Sequence, residues 1–366
     1  SASEMSKSLN QLLEGPSIYD RNRFAQVTLS THVQRFAAQD APTFNRIRLN
    51  RLLLEEAYPE FITRSQAGLY PDLEIITPSV PDSSRCFQEY TEDAARRYQL
   101  NQLDPGEVVN VMPDGRVSVS GQVAVMAING LLTKVIFDAN PDHEFYVEES
   151  FPLKWMYPHL VPAGIIMKIE RQPVAELSEE AVRRDHDYWS QYSARLIGDW
   201  ITYDTPVSEV VDFVRRTYRR RDLSQFKGDP KFVRDRNAQK AFSKLRNAIG
   251  KSVYTWRAQA ASRSPEEQAR YLREAEFALK QAFAFCPYSP ETVFNYASLL
   301  AGLGKYDDAA AVARTCYEFD PDNTGVRGLV EQVEQLRQAR PPAAFNPSGM
   351  EEFETKFRSQ PTNVDL

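Results

Sequence analysis

The sequence predicts an α/β domain with a mixed sheet and helices, followed by an all-α domain. Three observations support this prediction. Strand and helix patterns alternate from about residue 70, strand patterns stop after Ser178, and a period of 34 residues appears in the second half. The expected parts are a flexible lead-in at 1–20, an α/β domain at 21–177, a helical domain at 178–338 and an extended tail at 339–366.

The first domain begins with helical patterns at 22–39 and 46–56, followed by a short apolar strand at 73–77. A longer helix is expected from Pro81 to about residue 103. Its apolar residues recur at helical spacing, as on one face of a helix: Phe87, Tyr90, Ala94 and Tyr98.

Two β-rich runs at 107–112 and 116–120 flank Pro113-Asp114-Gly115, a turn sequence that predicts a hairpin. This hairpin argues against a purely parallel sheet. One well-buried helix and two further strands complete the domain, at 121–137, 144–149 and 164–169.

The elements expected after Ser178 are helices. Ser178 begins a helix that extends to about Gly198, and Thr205-Pro206 begins the next, with proline in the first helical position. Asp229-Pro230 begins a long helix that extends to about residue 260. Ser264-Pro265-Glu266-Glu267 has the pattern of a capping box.

The period of 34 residues is the clearest single signal in the second half. Small residues and prolines recur at this distance: Ala275, Ala282 and Pro287 return as Ala309, Cys316 and Pro321. Small residues at such positions let two helices approach closely, and proline ends a helix.

One full unit of the period covers residues 290–323. It fits two short helices separated at Gly304-Lys305, with a closing helix at 326–338. The unit resembles the tetratricopeptide repeat in its length, in Tyr306 and Ala309 after the glycine turn, and in its terminal Asp320-Pro321. The predicted second domain is therefore a tetratricopeptide-like helical domain.

A partner-binding surface is expected on the concave side of this unit. The candidate residues there are Glu291, Phe294, Asn295 and Ser298. They lack the lysine, asparagine and arginine set that clamps a terminal carboxylate. Because fewer than three regular repeats make a poor groove, a packing role for the unit is slightly favoured over partner binding.

The net charge of −6 excludes a protein that coats nucleic acid along its whole length. The charge is uneven, however, since residues 215–257 contain fourteen Lys or Arg and three Asp. The densest part supplies candidates for binding anions or lipid headgroups: Arg215, Arg216, Arg219, Arg220 and Arg221. The alternative is a solvated helix end whose cations suit the helix dipole. No motif for reading nucleic acid accompanies this segment.

The four histidines have no spacing typical of a metal site, and the sequence predicts neither a metal nor a cofactor. Asp185-His186-Asp187 is the triplet most like a site, but helical neighbours diverge by about 100°. A solvated helix face is therefore favoured there. Gly250-Lys251-Ser252 copies the end of a phosphate loop, but the earlier glycine is replaced by Leu245, so a position inside a helix is favoured.

Weak catalytic candidates are Glu148, Glu149 and His159, which lie in a segment rich in aromatics and prolines between two strands. An ordinary core with a rigid crossover explains the same residues and is preferred. The three cysteines are odd in number and far apart, which indicates buried thiols. The longest uncharged stretch, 117–133, is too polar for a membrane span.

Several sequence segments together resemble those of a known family: residues 119–137 (VSGQVAVMAINGLLTKVIF), 144–169, 185–200 (DHDYWSQYSARLIGDW) and 226–256. Over roughly residues 20–335, they resemble the C-terminal region of a bacterial family of multi-spanning membrane proteins. That family has a membrane part like protein O-mannosyltransferases and ends in tetratricopeptide-like helices. Its presumed catalytic acids lie in the membrane part, so no catalytic residue is carried over to this chain.

The resemblance implies a non-catalytic soluble module of a membrane glycosyltransferase-like protein, on the extracytoplasmic (periplasmic) side of a bacterial membrane. Such a module would dock partner proteins, acceptor chains or anionic headgroups, and no nucleic acid is expected. Two alternatives stay open. One is an enzyme with its site around Glu148 to His159, and the other is a structural or oligomerisation domain.

Overall fold

The computed structural model describes residues 76, 78–104, 106–112, 115–147, 153–261 and 264–339. The expectations for the lead-in, the helices at 22–39 and 46–56, nearly all of strand 73–77 and the tail lie outside these residues, as do Glu148 and Glu149. The chain divides into two compact units. Of the described residues, the first unit holds 76–147, 153–159 and 168–174, and the second holds 160–167 and 175–339.

Within the described residues the chain is mostly helical, with two small sheets followed by helices. This agrees with the predicted order of a mixed part followed by an all-helical part. The predicted hairpin is confirmed, because β1 (Val108–Val111) and β2 (Val117–Ser120) pair antiparallel with Val109 opposite Val119. The second sheet has the order β3-β5-β4, with strands Phe145–Val147 (β3), Leu160–Ala163 (β4) and Ile166–Ile169 (β5).

β5 begins two residues after the predicted start at 164, and β4 was not predicted at all. Its residues Leu160–Ala163 contain Pro162, which lowers the strand propensity of a four-residue segment. A 3₁₀ turn at Tyr157–His159 leads directly into it.

The first long helix, α1 (Val80–Gln99), begins with a capping box. The Asp82 amide donates to Ser79 Oγ, and the Ser79 amide donates to Asp82 Oδ2. The helix ends before the predicted residue 103. Asn101 adopts a left-handed φ of 53°, and the Gln102 amide donates back to the Arg97 carbonyl.

A small core lies between α1, the hairpin and α2 (Gln122–Ala139). Tyr90 and Ala94 of α1 pack there with Val109 and Ala124. The other two residues of the predicted apolar face are 50% (Phe87) and 45% (Tyr98) exposed, so the buried face of α1 is narrower than the spacing indicates.

Arg171 stabilises the end of α2. Its guanidinium donates to the carbonyl of Phe137 in the last turn, which the helix end leaves without an intrahelical partner, and to the carbonyls of Asn140 and His143 just beyond the helix. The guanidinium carbon lies 4.3 Å from the Phe137 ring centroid. A cation at the C-terminal end of a helix also suits the helix dipole.

The first helix of the second unit is α3 (Glu179–Ile197), which begins after Ser178 as predicted, and the Ala181 amide donates to the Ser178 hydroxyl. The helices that follow are α4 (Val207–Val214), α5 (Pro230–Arg234), α6 (Arg236–Ile249), α7 (Trp256–Ala260), α8 (Pro265–Phe285), α9 (Pro290–Gly302), α10 (Tyr306–Phe319) and α11 (Thr324–Ala339). Among the described residues of this unit are two π-helical turns, one after α4 at Arg215–Arg219 and one between α6 and α7 at Gly250–Thr255.

Three details of the predicted helices are wrong. The long helix from Asp229-Pro230 is interrupted at Asp235, whose carboxylate caps α6 by accepting from the amides of Asn237 and Ala238. Pro206 is the N-cap of α4 rather than its first helical residue. The Ser264 hydroxyl makes no capping hydrogen bond at the start of α8.

α8, α9 and α10 carry the residues of the 34-residue period. The small residues that recur with the 34-residue period are all buried: Ala275, Ala282, Ala309 and Cys316. The split between α9 and α10 lies where the sequence predicts it, because Gly304 has a φ of 75°, a conformation that favours glycine. The closing helix is confirmed as α11.

All three cysteines are free and buried, as predicted. Among the described residues, no helix combines the length and the apolar composition that crossing a membrane requires.

Candidate functional site

The second unit contains an open cleft of about 310 Å³ between α3 and α8. Four lining residues come from α3 at helical spacing, two come from α8 one turn apart, and one comes from the loop after α3. They are Glu179, Val182, Arg183 and His186, then Arg270 and Glu274, and finally Tyr203. Residues three, four and seven apart share a helix face, so both helices present one face to the cleft.

Glu274 is the buried acid of this cleft, with 5% of its surface exposed. Its Oε1 atom accepts a hydrogen bond from the Tyr203 hydroxyl. Its Oε2 atom is buried and has no hydrogen-bond partner among the described residues. Burial and this hydrogen bond to Glu274 raise the pKa of Tyr203 above its ordinary value, so the tyrosine stays a neutral donor.

His186 faces the same carboxylate. Its Nδ1 atom lies 3.9 Å from Glu274 Oε2, too far for a hydrogen bond, and it also has no partner among the described residues. The imidazole stacks on Tyr203 at 4.6 Å and on Phe277 at 4.4 Å between ring centroids. The two rings hold the imidazole in one orientation at the edge of the cleft.

Arg270 supplies a donor on the same face of α8 as Glu274. One arm of its guanidinium is engaged, because Nη2 donates to the Leu177 carbonyl at 3.1 Å and to Glu176 at 3.2 Å. The Nε atom is buried without a partner among the described residues. The cleft therefore contains an unpaired acceptor at Glu274 and an unpaired donor at Arg270.

The prediction of a solvated face for Asp185 is wrong. Asp185 Oδ2 accepts from Arg246 Nη1 and from the Tyr254 hydroxyl, both at 2.8 Å, and the side chains of Asp185 and Arg246 have no exposed surface. This side of α3 is covered by residues of α6 and of the following π-helical turn. The predicted divergence of neighbours is nevertheless correct, because His186 lines the cleft and Asp187 is exposed.

Of the weak catalytic candidates, only His159 is described. Its Nδ1 atom lies 2.7 Å from the Glu170 carbonyl oxygen, and its ring packs edge-on against Phe137 and Trp155. These contacts fix the ring within the first unit. Glu148 and Glu149 lie outside the described residues, so their relation to His159 stays a prediction.

The expected concave surface is not open. Phe294, Asn295 and Ser298 are buried, and only Glu291 of the four candidates is exposed. The covering helix is α6, where Asn247 Oδ1 accepts from Asn295 Nδ2 at 3.0 Å. These three residues therefore do not form the exposed concave face that was expected, and no sequence pattern indicated that α6 lies against α9.

The arginine-rich segment is partly engaged within the second unit. Arg215 and Arg219 both form ion pairs with Glu318 of α10, and Arg221 donates to the Val233 carbonyl at 3.0 Å. Arg216 makes a long contact of 3.4 Å with Gln225, and Arg220 is exposed. The segment therefore presents less uncompensated charge than its sequence indicates.

Gly250-Lys251-Ser252 lies in the π-helical turn after α6, in agreement with a position inside a helical segment. Gly250 packs closely against α8 there. A Cβ atom built on it would lie 3.1 Å from Ala278 Cβ on α8.

Sequence reasoning missed the residues that define the cleft: Tyr203, Arg270 and Glu274. One signal could have found Glu274. It follows Arg270 by four residues in a helix whose later positions are nearly all buried, so an acid there needs a partner. Among the described residues, no group of three or more His, Cys, Asp or Glu side chains is placed to hold a metal ion.

No protein-family model, curated protein or solved structure matches this chain. The family resemblance therefore stays a prediction.

Proposed function

We propose that this chain is a non-catalytic binding module, and that the cleft between α3 and α8 is its binding site. One observation carries this proposal. The cleft contains buried hydrogen-bonding atoms without a partner among the described residues, Glu274 Oε2 and His186 Nδ1. Buried polar atoms are nearly always paired, so an unpaired acceptor in an open cleft favours a ligand.

Three buried charges elsewhere in the second unit have a structural role. Asp185 and Arg246 pair with each other, and Lys280 donates to the carbonyls of Tyr203 and Thr205 at 2.8 and 2.7 Å. Because each of these groups is already hydrogen-bonded to protein atoms, they stabilise the fold and are not free to act on a substrate.

We further propose that α9 and α10 are a tetratricopeptide-like pair that serves as scaffold. The buried small residues at 34-residue spacing and the glycine turn at Gly304 support this. Since α6 covers the side on which Asn295 lies, the pair would act by packing, and partners would bind elsewhere on the unit.

The parent is proposed to be a membrane glycosyltransferase-like protein, with this module on the extracytoplasmic side. The exposed Arg220 and the half-buried Arg216 support an additional contact with anionic headgroups, as an electrostatic attraction that salt would screen.

Two measurements test the proposal. The purified chain, incubated with a prenyl-phosphate-linked hexose and a peptide acceptor, should transfer no more sugar than a heat-denatured sample. Transfer by the chain alone would overturn the non-catalytic role. An antiserum against the chain should detect a band much larger than 41.8 kDa in the membrane fraction of source cells. A band of 41.8 kDa in the soluble fraction would remove the membrane parent.

A further inference from the structure

We infer that the cleft binds a small zwitterion of the α-amino acid class, with its ammonium at Glu274 and His186 and its carboxylate at Arg270 and Arg183. This inference rests on the proposed binding role of the cleft and names the ligand class. It follows from the charges of the groups that carry the unpaired atoms, and from the positions of those atoms.

The ammonium end is defined by Glu274. Its side chain is 7% exposed, one carboxylate oxygen is taken by Tyr203, and the other has no donor among the described residues. A charged N–H donor would offset most of the cost of burying that oxygen. Because Oε2 and His186 Nδ1 are 3.9 Å apart, a single nitrogen can lie within about 3 Å of both. The imidazole accepts this bond when its own proton is on Nε2.

The carboxylate end is defined by Arg270. Its Nε–H is buried and unpaired among the described residues, while Nη2 is fixed by Glu176, the Leu177 carbonyl and the Tyr271 hydroxyl. Arg270 precedes Glu274 by one helical turn, so their Cβ atoms are separated by about 5–6 Å. Arg183 on the facing helix lines the same cleft and adds a second, exposed cation.

The balance of charges favours a zwitterion over a simple amine or a simple acid. The lining residues include two acids, Glu179 and Glu274, and two arginines, Arg183 and Arg270. A monovalent cation would leave the arginine donor unpaired, and an anion would leave the buried carboxylate unpaired. A ligand with both charges at short separation satisfies both ends. The volume of about 310 Å³ is at the lower end of small-molecule sites.

The test is isothermal titration of the full chain with L-alanine, L-glutamine and L-phenylalanine. At least one of them should bind saturably, and its N-acetyl and carboxamide derivatives should bind at least about tenfold more weakly, because each has lost one charge. Absence of binding up to about 10 mM of all three, or equal binding of the N-acetyl derivative, would overturn the inference.

Matched variants locate the site. Arg183→Gln removes an exposed cation of the cleft and should weaken binding by about three- to tenfold, since a partly exposed ion pair is worth about 1 kcal/mol. Arg184→Gln removes the same charge from the next residue, which pairs with Glu180 outside the cleft lining, and should leave binding unchanged. Equal effects of the two substitutions would place the ligand elsewhere and overturn the inference.

Glu274→Gln should weaken binding more than tenfold while the circular dichroism spectrum of the chain is kept. If this variant does not fold, the Arg183→Gln and Arg184→Gln pair decides the question alone. These readouts do not depend on sugar transfer. If the chain binds alanine and also transfers sugar, this inference holds and the non-catalytic proposal fails. If the chain neither binds an amino acid nor transfers sugar, only this inference fails.

Discussion

Asp185 on α3 and Arg246 on α6 form an ion pair that is fully withdrawn from solvent. Asp185 Oδ2 accepts from Arg246 Nη1 at 2.8 Å, and Arg246 Nε donates to Gln281 Oε1 on α8 at 2.8 Å. The Arg246 guanidinium carbon lies 5.1 Å from the Trp189 ring centroid. The pair thus joins three helices of the second unit, and α3 and α8 of these also line the cleft.

We predict that breaking this pair destabilises the protein strongly. Asp185→Asn leaves the buried Arg246 charge uncompensated and should lower the free energy of unfolding by about 3–5 kcal/mol, measured by urea denaturation. Asp187→Asn, on the exposed side of the same helix, should change it by less than about 0.5 kcal/mol. The double variant Asp185→Leu/Arg246→Met leaves no unpaired charge. Its loss of unfolding free energy should therefore be smaller than the losses of Asp185→Leu and Arg246→Met added together. Additive losses would contradict a coupled pair.

Lys280 provides a second prediction about buried charge. Its Nζ atom donates to the carbonyls of Thr202, Tyr203 and Thr205, and burial lowers the pKa of Lys280. Lys280→Met should remove the Nζ donor from the carbonyls of Tyr203 and Thr205, while the Thr202 carbonyl keeps the Thr205 amide, and should cost about 1–3 kcal/mol of unfolding free energy. The exposed Lys240→Met is the control and should change the melting temperature little. Because the Lys280 bonds hold the loop that carries Tyr203, the variant should also weaken ligand binding in the cleft. Unchanged stability would mean that water replaces the three bonds.

Some caps and turns could be predicted from the sequence, but contacts between residues distant in the sequence could not. Ser178 as the cap of α3, the hairpin around Gly115 and the turn at Gly304 each depend on residues a few positions apart. The burial of Asp185 depends on Arg246, which is 61 positions away. A helix pattern gives the direction in which a side chain points, but not which helix covers it.

The candidate site illustrates the same limit. The 34-residue period correctly placed α9 and α10, yet three of the four candidate surface residues are buried, and α6, from outside the period, packs against Asn295. His186 was singled out only as part of a triplet. Its true neighbours, Tyr203 and Glu274, come from two other segments, and no spacing within α3 could reveal them.

Glu107 gives a prediction for pH. Burial opposes its ionisation, but hydrogen bonds from Arg97, Tyr90 and the Asp104 amide outweigh burial and hold the pKa of Glu107 below its ordinary value of 4.5. A carboxylate with a lowered pKa in the folded state adds stability above its unfolded pKa, and this stability is lost as the pH falls through the folded value.

We therefore expect Glu107→Gln to destabilise the first unit by about 1–3 kcal/mol at pH 7, and by progressively less below about pH 4.5. Thermal unfolding of the wild type and the variant from pH 7 to pH 3 measures the difference. Glu89→Gln, on an exposed position of α1, is the matched control and should shift neither curve. A difference that stays constant with pH would show that Glu107 acts by shape rather than by charge.

Gly250 lies where the π-helical turn after α6 meets α8. A Cβ atom there would lie 3.1 Å from Ala278 Cβ and 3.2 Å from Leu279 Cδ2, and both residues are buried. Gly250→Ala gains about 1 kcal/mol of helical propensity, but overpacking costs about 1–3 kcal/mol. We expect a net loss of about 1 kcal/mol in urea denaturation, and a larger loss for Gly250→Val. Adding Ala278→Gly should recover part of the packing cost, so the double variant should lose less than the two single variants combined. If Gly250→Ala is instead stabilising, α8 moves away from the turn at little cost, and the close approach is not what requires glycine.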